Sequence, residues 1–299
     1  MKHTVVLAVP PIFSWTAILG YLSREENEVM YRVTNDTIRR AFEVESDIYL
    51  CDITYCSEQG AIEIDLLNQP GWTEESQQFI ERFVNDWFDL GTDLSPFYQM
   101  ASADPLLNEL VIKFTELRLV GMPDFYEAIT WGILGQQINL GYAYTLKRRF
   151  TEKYGRSVQY EGEVYWVYPQ PERVASEPSE ALLDLRLTVK KAEYLVDISK
   201  RIAKGQLSKT ALSQFDSTKS AEKAMTKIRG IGPWTAHYVL MRCLRKGDAF
   251  PVADVGLLNG IKKLQQLDEK PNRHQMEQFR HQWGTWCSYA TFYIWRILY

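Results

Sequence analysis

Between Lys227 and Leu257 the chain reads KIRGIGPWTAHYVLMRCLRKGDAFPVADVGL, and here residue types and spacing could do chemistry. A stretch with helical spacing, SAEKAMTKI, meets Gly230, Ile231 and Gly232, and Pro233 is a good first-turn residue for a second helix. Two glycines in such a turn permit a tight hairpin over residues 228–236 whose backbone amides lie uncovered at a helix N-terminus, able to hold a phosphate without side-chain charge. An ordinary interhelical turn is the alternative, since glycine turns are common. Trp234 and Tyr238 are four apart and share a helix face. Asp254 stands 20 positions after Trp234, where it can cap the helix that begins in VADVGLLNGIKKL or offer a carboxylate for chemistry. His237 lies about 100° around the helix from Tyr238 and is assigned no role as a base.

The rest of the chain must position these groups. At 299 residues, with about 150 per domain, two folding units are expected. The net charge of −4 argues at first against a nucleic-acid partner, but it hides an asymmetry. Residues 1–100 hold 6 Lys and Arg against 17 Asp and Glu, a balance of −11; residues 101–299 hold 28 against 21, a balance of +7. A basic module therefore follows an acidic one. The four cysteines, Cys51, Cys56, Cys243 and Cys287, form no CxxC pair and have no histidine at zinc-finger spacing, so neither a metal site nor a disulfide framework is expected. Val5–Leu22 is nearly uncharged, but Pro10-Pro11 interrupts it and no cleavage pattern follows. A cytoplasmic protein with no membrane contact is the expectation.

HTVVLAV reads as a strand ended by Pro10-Pro11, and SWTAILGYLSREE as a helix with Ser14 as N-cap. EVMYRV, SDIYLCDITYC and AIEIDLL are β-branched or alternating, TEESQQFIERFVNDWFDL has helical spacing, and GTDLSP reads as a linker. From about residue 101 helical patterns succeed one another, with SVQYEGEVYWVYPQP as a connecting loop or short hairpin. The fold class is α+β: an antiparallel sheet-and-helix domain over residues 1–97, then an all-α domain over residues 98–299.

The GIG hairpin followed by DAFPVAD resembles the helix-hairpin-helix superfamily of DNA repair glycosylases, and the Trp234-to-Asp254 spacing is similar to that of the DNA-3-methyladenine glycosylase II family. The likeness covers nearly all of the chain. PPIFSWTAILGYL resembles the entry to that family's sheet domain, WGILGQQINLGYAYTLKRRFTEKYG its helix with a DNA-wedging loop, LTVKKAEYLVDISKRIAKG its next helix, and WCSYATFYIWR the segment that places an aromatic residue in the base pocket. The resemblance implies a helical core of two lobes flanking a cleft, with Asp254 and the hairpin at its mouth. It implies excision of alkylated purines from double-stranded DNA by a monomer that needs no cofactor, with a monovalent cation at the hairpin carbonyls as an option.

The chemistry agrees with that likeness. Cleaving an N-glycosidic bond develops positive charge on the sugar, which one carboxylate can stabilise while it orients or deprotonates water. Bifunctional relatives use a lysine two residues after the second hairpin glycine, and Trp234 stands there, so water is expected as nucleophile and an abasic site as product. By resemblance Trp234, Tyr238, Trp295 and Tyr21 line the pocket, where stacking would favour a cationic alkylated base by about 0.5 to 2 kcal/mol; each taken alone reads better as core. Flipping a base out of the duplex leaves a gap. Gln137 of LGQQIN, preceded by Gln136, aligns with the family's wedging residue, although relatives use an aliphatic one. Lys147, Arg148, Arg149, Lys190 and Lys191 are candidates for phosphate contacts or for a solvated face. A catalytically silent DNA-structure reader, or a glycosylase for oxidised or deaminated purines, would use the same features.

Overall fold

The computed structural model describes residues 4–68 and 71–298. Strand β1 (Thr4–Ala8) ends at the proline pair, and α1 (Trp15–Leu22) opens under Ser14, whose hydroxyl accepts from the Ala17 N–H at 3.2 Å. Strands β2 (Tyr31–Thr34), β3 (Thr37–Val44), β4 (Asp47–Cys56) and β5 (Ala61–Leu66) complete a sheet of order β1-β5-β4-β3-β2, antiparallel throughout. Helix α2 (Glu74–Phe88) starts at a capping box of Thr73 and Ser76 and lays Phe83 against Phe42 and Trp87 against Tyr31.

Strand β3 carries no clear strand signal in the sequence, because TIRRAFEV places two arginines mid-run. The sheet uses both. Arg39 pairs with Asp52 on β4 at 2.7 Å, and the buried Arg40 guanidinium lies 4.6 Å from the Trp87 ring centroid and 4.7 Å from that of Phe83.

The helices that follow are α3 (Ser95–Ala103), α4 (Asn108–Lys113), α5 (Phe125–Leu134) and α6 (Leu140–Tyr154); strands β6 (Arg156–Tyr160) and β7 (Glu163–Val167) then intervene. Next come α7 (Pro171–Ala175), α8 (Val189–Ala203), α9 (Lys209–Ser213), α10 (Thr218–Met225), α11 (Pro233–Arg242), α12 (Val255–Leu264), α13 (Arg273–Trp283) and α14 (Cys287–Trp295). The architecture is α+β, a sheet with helices followed by a helical core.

The short hairpin that SVQYEGEVYWVYPQP allowed is present: β6 and β7 turn at Glu161 and Gly162, both with positive φ. The hairpin packs Tyr165 and Val167 on Ala41 and Leu50, covering the sheet face opposite the main core. A boundary at residue 97 cuts a helix, since α3 begins at Ser95 and its buried Phe97 packs on Tyr289 and Tyr293 of α14, at 5.1 and 5.2 Å.

One buried ion network joins the sheet part to the helical part. Lys147 on α6 donates to Glu28 and to Glu127 on α5, both at 2.8 Å, with each side chain about 5% exposed. Burial pushes the Lys147 amine down and the two carboxylates outweigh it, so the group stays above the ordinary lysine value. Deleting the cation strands two buried carboxylates. Lys147→Met is expected to lower the unfolding free energy by about 3 to 5 kcal/mol in urea titration; a loss below about 1 kcal/mol would show that the network does not join the two parts.

Candidate active site

The hairpin is built around one glycine. Gly230 has φ +93°, and a Cβ there would run into the Tyr194 ring, about 2.5 to 2.9 Å from its atoms, so only glycine lets α10 turn beside α8. Gly232 differs. Its φ is −89° and nothing lies near its would-be Cβ, so its smallness leaves the N-terminus of α11 open, and no side chain caps that end. Ile231 between them is buried. The Gln136 amide donates to the Gly230 carbonyl at 2.8 Å, tying the loop before α6 to the hairpin.

Asp254 caps a helix and faces a cavity at once. It is the N-cap of α12, with Oδ1 accepting from the Leu257 N–H at 2.5 Å. The same Oδ1 accepts from the Trp295 indole N–H at 2.8 Å, and Oδ2 accepts from that of Trp234 at 2.6 Å. Three N–H donors thus occupy three of the roughly four acceptor positions of a carboxylate, leaving one on Oδ2. The side chain is only 8% exposed, yet it lines a cavity of about 720 Å³.

That cavity gathers Tyr21, Trp234, Tyr238, Asp254, Trp295, Gln136 and Gln137. Trp234 stacks on Tyr238 at 5.5 Å and 28°, and Tyr238 on Trp295 at 6.2 Å and 30°, a three-ring wall from two helices. Tyr21 enters from α1 and rests on Phe292 at 4.9 Å. Gln137 sits exposed at the mouth with φ +57°, a left-handed conformation that costs a non-glycine residue about 1 to 2 kcal/mol. Such strain persists where the surroundings hold it.

Among the lining residues that escaped the sequence reading are Trp131, Arg24 and Arg242. Arg242 had a signal, lying four residues after Tyr238 and eight after Trp234 on the same helix face. The cavity therefore holds two guanidinium groups beside its aromatic rings. Arg24 lies 3.5 Å from the Tyr21 ring centroid, and Arg242 lies 5.5 to 5.6 Å from those of Tyr21, Tyr238 and Phe292. Burial raises the Tyr21 phenol, but Arg24 and then Arg242 outweigh it and hold it below the usual tyrosine value.

The candidate phosphate contacts divide. Lys147 is locked in the ion network and the buried Lys191 donates to the Leu134 carbonyl at 2.7 Å, so neither faces a phosphate. Arg148 pairs with Glu152, Arg149 is half-buried, and Lys190 is exposed. His237 holds the loop to Asp254: its Nδ1 accepts from the Phe250 N–H at 3.0 Å, and its Nε2 lies 3.4 Å from Glu222. Among the described residues no cluster of His, Cys, Asp and Glu could hold a metal, and no helix is long and apolar enough to cross a membrane.

Known proteins are similar to this chain in sequence and in fold. Residues 130–285 match the HhH-GPD superfamily of base excision DNA repair proteins, and residues 13–129 match the N-terminal domain of 8-oxoguanine DNA glycosylase. The whole chain is 45% identical over 300 residues to the DNA-3-methyladenine glycosylase of Bacillus subtilis (strain 168), covering 98% of that protein. In structure it is similar to the 3-methyladenine DNA-glycosylase from Archaeoglobus fulgidus, with a TM-score of 0.82 at 21% identity over 98% of this chain and 97% of that one. A Clostridium acetobutylicum 8-oxoguanine glycosylase/lyase in complex with double-stranded DNA gives 0.77 at 19% identity, over 99% and 95%.

Two outcomes follow from this geometry. Gly230→Ala is expected to lower the melting temperature and weaken DNA binding together, whereas Gly232→Ala keeps the melting temperature and weakens binding alone; equal effects in melting and gel-shift assays would refute the division of roles. Burial, opposed by Glu222 and aided by Arg280, holds the folded His237 imidazole below its ordinary value. The unfolded chain therefore takes up this proton first, and the stability present above pH of about 6.5 is lost as pH falls through that value. His237→Asn, which keeps an acceptor for Phe250, should show a smaller drop in melting temperature between pH 7 and 5 than the natural protein; identical drops would clear His237.

Proposed function

The chain belongs to the HhH-GPD superfamily of base excision DNA repair proteins, and from that membership we propose a monofunctional DNA glycosylase in which Asp254 directs water onto the sugar of a flipped-out alkylated purine. It is a base-excision DNA glycosylase of the 3-methyladenine type, acting on double-stranded DNA. The observation that carries the mechanism is the Asp254 carboxylate, held by two indole N–H groups on the wall of a cavity large enough for a base.

The uncapped N-terminus of α11 holds a backbone phosphate through its free amides and the positive end of the helix dipole. The damaged base leaves the stack and enters between the Trp234–Tyr238–Trp295 wall and Tyr21, with Gln137 at the mouth filling the gap. The bond from C1′ to the base nitrogen breaks, and its electron pair neutralises the positive charge of the alkylated ring. Positive charge passes to the sugar, where the carboxylate stabilises it. Water at the free position on Oδ2 adds its oxygen to C1′ and gives its proton to Asp254.

Trp234 supports water as nucleophile, since an indole cannot form the imine that precedes strand cleavage, and its N–H serves Asp254 instead. A monovalent cation at the hairpin would use the second lone pair of the Ile228, Gly230 and Gly232 carbonyls, which already accept from the Ile231 N–H, the Gln136 amide and the Ala236 N–H. No step is routed through such an ion.

Asp254→Asn keeps a good N-cap and so keeps the fold. It is expected to reduce release of 3-methyladenine from alkylated DNA by about 10³-fold or more while duplex binding changes little. Full activity in that variant would sink the mechanism.

A further inference from the structure

Two guanidinium groups of the base cavity, Arg24 and Arg242, have no part in the step above. Along one face α11 presents Trp234, whose indole holds Asp254, then Tyr238 in the middle of the ring wall, then Arg242. The eight residues from Trp234 to Arg242 span about 12 Å of helix, so Arg242 marks the end of the cavity remote from Asp254.

Arg242 is 5% exposed and forms no ion pair among the described residues, an unusual state because a buried charge is costly unless paired. Its polar neighbours are phenols: Nη1 donates to the Tyr238 hydroxyl at 3.3 Å, and Tyr21 lies beside it. A guanidinium carries five N–H donors, which two phenols do not exhaust. Arg24, from the sheet half, donates to the hydroxyls of Tyr21 at 2.7 Å and Tyr144 at 3.3 Å. Arg242, on the helix that carries the ring wall, is the donor in line with a base stacked on that wall.

Resting on the glycosylase reading, we propose that Arg242 reads the 6-position of the extruded purine, donating to the carbonyl oxygen of a 6-oxopurine such as 7-alkylguanine and disfavouring the amino group of a 6-aminopurine such as 3-alkyladenine. A guanidinium only donates, and so does an exocyclic amino N–H, so placing the two together leaves both without an acceptor. A carbonyl pairs with it. The contact also strengthens during the reaction. As the C1′–N9 bond breaks, its electron pair enters the ring and spreads onto O6, where the fixed cation stabilises it. The repulsion between Arg242 and a cationic alkylguanine fades over the same step, so it destabilises the bound ground state more than the transition state.

Duplex DNA methylated with dimethyl sulfate carries both 7-methylguanine and 3-methyladenine, whose release can be followed together by chromatography. Arg242→Met keeps a long unbranched side chain and removes every donor. The variant is expected to release 7-methylguanine about tenfold more slowly while 3-methyladenine changes by less than about threefold. An unchanged ratio overturns the assignment and leaves the glycosylase intact, whereas no release of either base by the natural protein overturns both. A second measurement needs neither variant nor catalysis. Hypoxanthine and adenine differ in that position 6 is carbonyl in one and amino in the other. Hypoxanthine should quench the fluorescence of Trp234 and Trp295 at about a tenfold lower concentration than adenine, and equal quenching overturns the proposal.

Discussion

Two indole N–H groups on one carboxylate hold this molecule's chemistry in place. Trp234 comes from α11, Asp254 from the start of α12 and Trp295 from the end of α14, so two hydrogen bonds close a triangle of helices around the cavity. Indoles suit the task, since each brings a large rigid ring with a single donor and loses little freedom when held. The junction is tight: a Cβ at Gly256 would come within 3.1 Å of the carboxylate and 3.4 Å of the Trp295 ring. Further along α12, Gly260 has no room for a side chain against Ile294. The glycines of this helix thus let α14 approach closely enough for its tryptophan to reach Asp254.

The same carboxylate caps a helix and faces the cavity, and the two duties support each other. The cap bond to Leu257 fixes one oxygen. With that oxygen and the first position on Oδ2 engaged, the remaining acceptor direction is set by the fold and not by rotation of a free side chain. Preorganisation of this kind is what lets fixed charge stabilise a developing positive centre without rearranging at the moment of reaction.

The sheet half of the chain contributes more than support. It delivers Tyr21 and Arg24 to a cavity otherwise built from the helical half, so the relative placement of the halves must be rigid. Buried charge holds it. Lys147 bridges Glu28 and Glu127, and the fully buried Arg118 donates to the carbonyls of Ile12 and Asp89, each at 2.7 Å, and to that of Thr92. The β6–β7 hairpin adds a clasp on the far side of the sheet, with the Trp166 N–H donating to the Val29 carbonyl at 3.2 Å. Removing one member of such a network leaves the others buried and unpaired, which makes the junction cooperative.

Local rules wrote much of this into the sequence. The Ser14 cap, the strand patterns of β1, β4 and β5 and the GIG turn depend on neighbours a few residues apart, and they are legible for that reason. Strand β3 is not, because its arginines find Trp87, Phe83 and Asp52 only once the sheet and α2 have met. Nor does charge alone tell Lys147 from Arg148: adjacent in sequence, one is sealed between two carboxylates and the other lies on the surface beside Glu152. The sequence by itself determined which elements form, and that a carboxylate and several rings were available for a common purpose. Only the tertiary structure decided that both indoles point at that carboxylate and that a guanidinium stands at the cavity's far end, because those contacts join positions 20, 41 and more residues apart whose meeting depends on how whole helices pack.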